Sequence, residues 1–417
     1  MNKRQFDKIQ MPAQLADVSQ QDVNEVSAEQ VGVAPEKIAR LWQGVEKLYT
    51  TGLYPAIAVA IRKNNQLLMH RVIGHAQGNG PQDSRPQDKE QTPKKRMQLD
   101  TPMCMFSTSK CITATLIYWL QSQHEFSLHQ PVSHYLPEFK STFSGSVTAD
   151  QLLNHRAGIP AFPEGLELRA LLERDVLVKL LTQLRPEWSG QHTGYHATTA
   201  GYILGLLIEA VTQKTLVQVV DEVLRQPMGL KYFNYGLAEP YRAQAAFNYP
   251  TGVYYDSVFE KNLRRMLGVP LEDLLDYSNL PPFMDAVVPS ANAFATSFEV
   301  CEFFQMLLDD GQYQGKTILP EGCARQMTHS GDKFEFDRML KFPVRYSAGF
   351  MCGRDPIGGW GAYSSQAFGH LGLTNNLCWA DAGKNIAVSL LTSGNPLIGS
   401  HILQLMRWVM QVSLFLK

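Results

Sequence analysis

The chain has no excess of either charge: 38 Lys plus Arg stand against 39 Asp plus Glu among 417 residues, a net charge of -1. That balance removes the electrostatic case for nucleic acid or an anionic membrane as the main partner. There is no Cys-x-x-Cys. The six cysteines, Cys104, Cys111, Cys301, Cys323, Cys352 and Cys378, are scattered, which argues against a disulfide framework or a zinc site and for reduced, mostly buried thiols. No His-Glu-x-x-His occurs and the 11 histidines are dispersed, so no metal is expected. The absence of Gly-x-Ser-x-Gly leaves a nucleophile elbow unsupported. Gly311-Gln-Tyr-Gln-Gly315-Lys-Thr317 is one residue short of a phosphate-binding loop and follows a helix pattern, so it reads as a turn, and no cofactor is implied. No apolar run reaches the roughly 20 residues of a membrane span. The N-terminus carries positive charge without an apolar segment behind it, so a secretory signal is not expected and the cytoplasm is the default location.

What is present is a globular composition, 44% hydrophobic and 18% charged, in a chain long enough for two domains. Residues 1–34 are polar and read as an arm draped on the surface. Ile38, Leu41, Trp42, Val45, Leu48 and Tyr49 fall at helical spacing, and the helix they predict stops near Gly52. Two β-rich runs meeting at Asn64-Asn65 predict a hairpin, and 75–98 reads as a polar surface loop. Helical patterns dominate 121–289, the strongest from Thr199 to about Gln213; another covers 299–308. Strands are expected at 346–352, 367–371, 377–380 and 386–391, and a last helix at about 398–415. This order predicts an α+β fold, an α/β sandwich. One sheet domain (35–120 and 290–417) is drawn from both ends of the chain, and a mainly helical domain (121–289) is inserted between.

Chemistry concentrates at Met105-Phe106-Ser107-Thr108-Ser109-Lys110, which runs straight into an apolar helix. With Ser107 at the helix start, Lys110 lies on the same face, three residues on. The helix N-terminus favours an alkoxide there, and a lysine whose pKa burial lowers can accept or relay the proton. Spacing alone also fits a plain N-cap serine. Ser330-Gly-Asp-Lys333 has the same spacing, but Phe-Glu-Phe-Asp follows it rather than an apolar helix, so it reads as a surface turn.

Several ordered segments extend the pattern: Pro55-Ala-Ile-Ala-Val-Ala-Ile61, Leu128-His-Gln-Pro-Val-Ser-His-Tyr-Leu-Pro-Glu-Phe139, Gln151-Leu-Leu-Asn-His-Arg-Ala-Gly-Ile-Pro160 and Pro289-Ser-Ala-Asn-Ala-Phe-Ala-Thr-Ser297. With Phe106-Ser-Thr-Ser-Lys110 they make the chain, from about Pro35 onward, resemble the serine β-lactamase and penicillin-binding-protein superfamily. The branch is the class C-like one that includes the family VIII carboxylesterases. The resemblance implies a β-lactamase-like antiparallel sheet flanked by helices, a serine nucleophile at Ser107 and a tyrosine ahead of a later helix. Tyr195, in Gly194-Tyr195-His196-Ala197, stands at that place and is the implied general base; on its own it also fits a packed core tyrosine. Ala197 replaces an asparagine whose amide helps β-lactamases hold the lactam's side chain. At the third motif, Phe368-Gly369-His370-Leu371-Gly372-Leu373 puts His370 where β-lactamases carry a lysine that meets the substrate carboxylate. A neutral histidine suits an uncharged ester better, and His370 also fits a core histidine holding a carbonyl. Gly372 would allow close approach of substrate, and the N–H groups of Leu373 and Ser107 would form the oxyanion hole. Trp360, in Gly358-Gly-Trp-Gly361, lines the acyl site or caps the core. His155 reads as a structural hydrogen-bonder beneath the site. The implied partner is a small-molecule ester or amide. The implied activity is carboxylesterase-like hydrolysis through an acyl-enzyme, with a β-lactamase or D-amino-acid peptidase-like amidase, or a non-catalytic binding module, as alternatives.

Overall fold

The computed structural model describes residues 3–81, 83, 93–123, 126–163, 165–188, 190, 192–255, 258–328, 333–397 and 399–417. At its centre is a nine-stranded sheet whose pairings are all antiparallel. The strand Ala56–Lys63 lies between Gln66–Gln77 and Ile386–Thr392, so the two ends of the chain share one sheet. Beyond Ile386–Thr392 come Leu377–Asp381, Ala367–Leu371, Phe350–Cys352 and Tyr346–Ser347.

Period-two alternation divides the sheet residues between two cores. Ala56, Ala58 and Ala60 turn to one face, where small side chains let helix Ser297–Leu308 pack closely. Ile57, Val59 and Ile61 turn to the other, with Trp379 and Val388, under the paired helices Pro35–Tyr49 and His401–Phe415. The chain is thus helix on sheet on helix, an α+β fold. The hairpin at Asn64-Asn65 forms as predicted, both residues adopting positive φ (52° and 59°), as a type I′ turn demands. Most of the helices between Val132 and Asp285 are short; the longest is Thr199–Thr212, buried along Thr199 to Ile208.

Some expectations change. The arm is more than a surface drape: Ser19–Gln21 pairs with the sheet edge, Lys3–Gln5 pairs with Val253–Tyr255, and Ile9, Val18, Val31 and Val33 are buried. The loop expected at 75–98 is strand at both ends, since Gln66–Gln77 continues through it and Lys95–Arg96 pairs back; 82 and 84–92 lie outside the described residues. The run 346–352 is two strands, broken where Ala348 (φ 46°) and Gly349 (φ 90°) turn the chain. The turn expected at Ser330 also lies outside the described residues. Among the described residues no single helix is long and apolar enough to cross a membrane; Thr199–Thr212 and Leu216–Arg225 meet the criterion only as a pair bent by 77°.

Candidate active site

Ser107 sits in the 3-10 turn Phe106–Thr108, which opens directly into helix Ser109–Ser122. The helix is apolar nearly all round, with Cys111, Ile112, Ala114, Leu116, Ile117 and Leu120 buried, as a helix enclosed in the core requires. Its first turn is pinned by the 289–293 segment: the N–H of Ala293 donates to Ser109 Oγ (3.0 Å) and the N–H of Met105 to Ala293 O (2.8 Å). The Tyr235 hydroxyl lies 3.0 Å from Ser109 O, bridging to Pro289 O. Phe106, a bulky residue, is held at φ 45° immediately before the serine, a left-handed conformation that only surrounding structure sustains.

Lys110 Nζ lies 3.2 Å from Ser107 Oγ and 3.2 Å from the carbonyl of Ser290. The lysine is 6% exposed, and burial pulls its pKa down to about 7. Its Nζ also stands 4.9 Å from the ring centre of Tyr195. Burial pushes the Tyr195 phenol well above its ordinary range, the Ser107 hydroxyl opposing this. A neutral amine near pH 7 beside a firmly protonated phenol makes Lys110 the readier acceptor of the serine proton.

The backbone of Tyr195 is fixed by Asp337, whose Oδ1 accepts its N–H at 3.1 Å. Asp337 is fully buried and also accepts from the N–H groups of Met339 and Leu340 (each 2.8 Å) and from the Tyr346 hydroxyl (2.9 Å). His155 supports the same irregular segment: its Nδ1 accepts the His196 N–H (3.1 Å) and its ring packs 4.8 Å from that of Tyr195. Burial holds its pKa well below the ordinary imidazole range, in keeping with a structural role.

Ser107, Tyr195, Ala197, Leu371, Gly372 and Leu373 line one cavity of about 250 Å³. Among the described residues, every other side chain on its wall is apolar, a tyrosine or a threonine, and none is charged. Ser107 and Leu373 each lie in a 3-10 turn, whose first N–H groups have no partner within the turn and are available to a ligand. Gly372 serves packing as well as access, since a Cβ there would meet Met105 O and Asn376 Cβ, each at 2.8 Å.

Two of the residues expected to bind substrate stand behind the wall instead. His370 is fully buried and shares a sheet face with Phe368, opposite to Leu371; its Nδ1 donates to Leu371 O (2.6 Å) and its ring lies 5.9 Å from Tyr195. Burial lowers its pKa to about 3, so it is neutral. Trp360 is 2% exposed, stacks 5.4 Å from Trp379 and gives its Nε1–H to Met351 O, so it caps the core and does not line the cavity. Sequence reasoning passed over Asp337 and the Ser290 carbonyl. Asp337 lay in a polar run read as the flank of a surface turn, and a backbone carbonyl has no side-chain signature. Among the described residues no cluster of His, Cys, Asp or Glu could hold a metal ion.

A serine in hydrogen-bonding reach of a buried lysine one turn along a core helix, beside an antiparallel sheet, defines the class. The chain belongs to the β-lactamase family, whose model, described as Beta-lactamase, matches residues 42–408. It is 24% identical over 304 residues to the esterase/beta-lactamase LipL of Mycobacterium tuberculosis, covering 70% of this chain and 69% of that one. Its fold is similar to that of a penicillin-binding-protein homologue from Caulobacter crescentus (TM-score 0.76, 22% identity, 92% of this chain and 99% of that one). It is also similar to that of a family VIII carboxylesterase (TM-score 0.75, 22% identity, 91% of this chain and 98% of that one).

Proposed function

We propose that the chain is a serine carboxylesterase acting through an acyl-enzyme on Ser107. The observation that carries the reading is Lys110 Nζ, buried and 3.2 Å from Ser107 Oγ, at a cavity whose lining among the described residues carries no charge. Lys110 takes the serine proton as Oγ attacks the ester carbonyl. The oxyanion is received by the N–H groups of Ser107 and Leu373. Tyr195, held as a phenol, passes a proton to the departing alkoxide and is recharged from the Lys110 ammonium. Water then attacks the acyl-enzyme, giving its proton back through the same pair and releasing the acid. This differs from the sequence-based expectation in one respect: Lys110, rather than Tyr195, is the first proton acceptor.

An ester is favoured over a lactam because, among the described residues, no cation lines the cavity to meet a substrate carboxylate, and Ala197 offers no amide to an acylamino group. Kinetics with p-nitrophenyl butyrate and a chromogenic cephalosporin, on the chain and its Ser107→Ala variant, test this. The ester is expected to turn over faster, and the variant to lose both the activity and a fluorophosphonate adduct. Faster cephalosporin turnover would move the reading to a β-lactamase; labelling that survives Ser107→Ala would remove Ser107 as nucleophile.

A further inference from the structure

Lys110 Nζ is shared between Ser107 Oγ and the carbonyl of Ser290, each 3.2 Å away. The titratable groups around it are Cys111, Tyr195, His155, His196 and His370, and burial keeps every one of them uncharged at neutral pH. Among the described residues the Ser290 carbonyl, not a counter-ion, is therefore what aims the amine and favours its ammonium form.

That carbonyl belongs to a turn, 289–291, and three separate elements grip it. From helix Ser109–Ser122, the Thr113 hydroxyl donates to Pro289 O at 2.6 Å. Thr113 lies three residues beyond Lys110, so one helix face carries the amine and also fixes the segment it bonds to. From the short strand Asn234–Tyr235, the Tyr235 hydroxyl stands 2.5 Å from that of Thr113 and 3.1 Å from the same carbonyl. From helix Thr199–Thr212, Gly201 and Gly205 turn bare backbone towards the turn. A Cβ on Gly201 would meet the N and Cβ of Ser290, each at 3.0 Å, and one on Gly205 would meet Pro289 Cγ at 2.8 Å. Two glycines inside a helix weaken it, and a hydroxyl pair is an expensive thing to bury, so close placement of this turn is what both features secure.

We infer that Gly201, Thr113 and Tyr235 are positioning residues for the Ser107–Lys110 pair. Together they fix the Ser290 carbonyl, and through it the direction of the Lys110 amine. The inference rests on the reading of Lys110 as the proton acceptor of an esterase. None of the three lines the cavity, so their effect reaches the reaction through Lys110 rather than through contact with substrate.

The pH dependence of kcat/KM for p-nitrophenyl butyrate tests this in the parent and in Thr113→Val, Thr113→Ser, Tyr235→Phe and Gly201→Ala. Thr113→Val keeps the shape and removes the hydroxyl. With the carbonyl released, the ammonium loses its acceptor, and the ascending limb is expected to move about half a pH unit or more to lower pH. The amine also loses its aim, so the plateau is expected to fall at least about tenfold, chiefly in kcat. Tyr235→Phe leaves Thr113 its bond to Pro289 O and is expected to show the same shift in smaller measure. Gly201→Ala pushes on the turn itself and is expected to displace the limb and lower the plateau. Thr113→Ser keeps the hydroxyl and is expected to return both to near the parent values. The position of the limb does not depend on how much of a preparation is folded, so poor folding does not mimic the shift. A limb left at the parent position in both Thr113→Val and Gly201→Ala, whatever their rates, would overturn the inference and leave the esterase standing. Thr113→Ser behaving as Thr113→Val would overturn it too. A parent that turns over no ester, or whose profile has no limb near pH 7, would bring down the reading on which the inference rests.

Discussion

At the scale of single residues, the decisive quantity is the protonation of Lys110. Burial in the core lowers its pKa to about 7, against an ordinary lysine value near 10.5. If the neutral amine is the acceptor, kcat/KM for an ester rises about tenfold per pH unit below pH 7 and levels above it. A pH–rate profile reads this directly. Lys110→Arg is expected to lose about 10²- to 10⁴-fold in kcat, because a guanidinium cannot give up its proton. An ascending limb near the pKa of an unperturbed group, or retained activity in the arginine variant, would show that Lys110 does not accept the proton. This pair was readable in the sequence because three-residue spacing on a helix is a local fact. Tyr195 was found by the order of motifs rather than by anything in its own neighbourhood. Trp360 could not be placed, since a tryptophan in a pocket wall and one stacked on Trp379 look alike until the fold is known.

At the scale of elements, the segment around the short strands Glu335–Phe336 and Pro343–Val344 does two things at once. Its Met339, Leu340 and Phe342 form part of the cavity wall, and its Asp337 holds the backbone of Tyr195. Asp337 is thus a positioning residue that links wall to phenol. In Asp337→Ala two buried N–H groups, the part-buried N–H of Leu340 and the Tyr346 hydroxyl lose their acceptor, each buried loss worth about 1–3 kcal/mol and not additive. The alanine variant is expected to unfold at lower urea and to lose kcat more than KM rises. Asp337→Asn keeps an oxygen for the N–H groups and is expected to restore most of both. Equal kinetics in the alanine variant and the parent would dismiss the positioning role. The Asp337–Tyr195 contact spans 142 residues, and no periodicity or motif bridges such a distance. By contrast, the sheet strands were largely visible from alternation and from the turn residues between them, and helix Thr199–Thr212 from its unbroken apolar run.

At the scale of the whole molecule, several histidines are buried uncharged. His196 and His370 have pKa values lowered to about 3, and that of His155 lies well below normal, burial being the first cause in each case. In the unfolded chain they titrate near 6.5. Between those values the unfolded state binds more protons than the native state, so stability falls as pH falls through this window. The slope reaches up to about 1.4 kcal/mol per pH unit for each histidine. Thermal melts from pH 7 to pH 4 are expected to show Tm dropping steeply below about pH 6; a constant Tm across that range would contradict neutral burial. The overall α+β plan was readable because the β-rich runs sit at the two ends of the chain and helical patterns between them. The cavity was not readable, because its wall is assembled from leucines and methionines that, one by one, look like any core.

The strand Gln66–Gln77, twelve residues long, pairs on its inner side with Ala56–Lys63. Its outer side would offer a row of free backbone donors and acceptors to any other extended chain. Ser19–Gln21 covers that side at Arg71 to Ile73, and Lys95–Arg96 covers it near His75 and Gln77. The polar first residues therefore act as a guard against self-association, and shortening the chain to its enzymatic portion would strip that guard from the sheet.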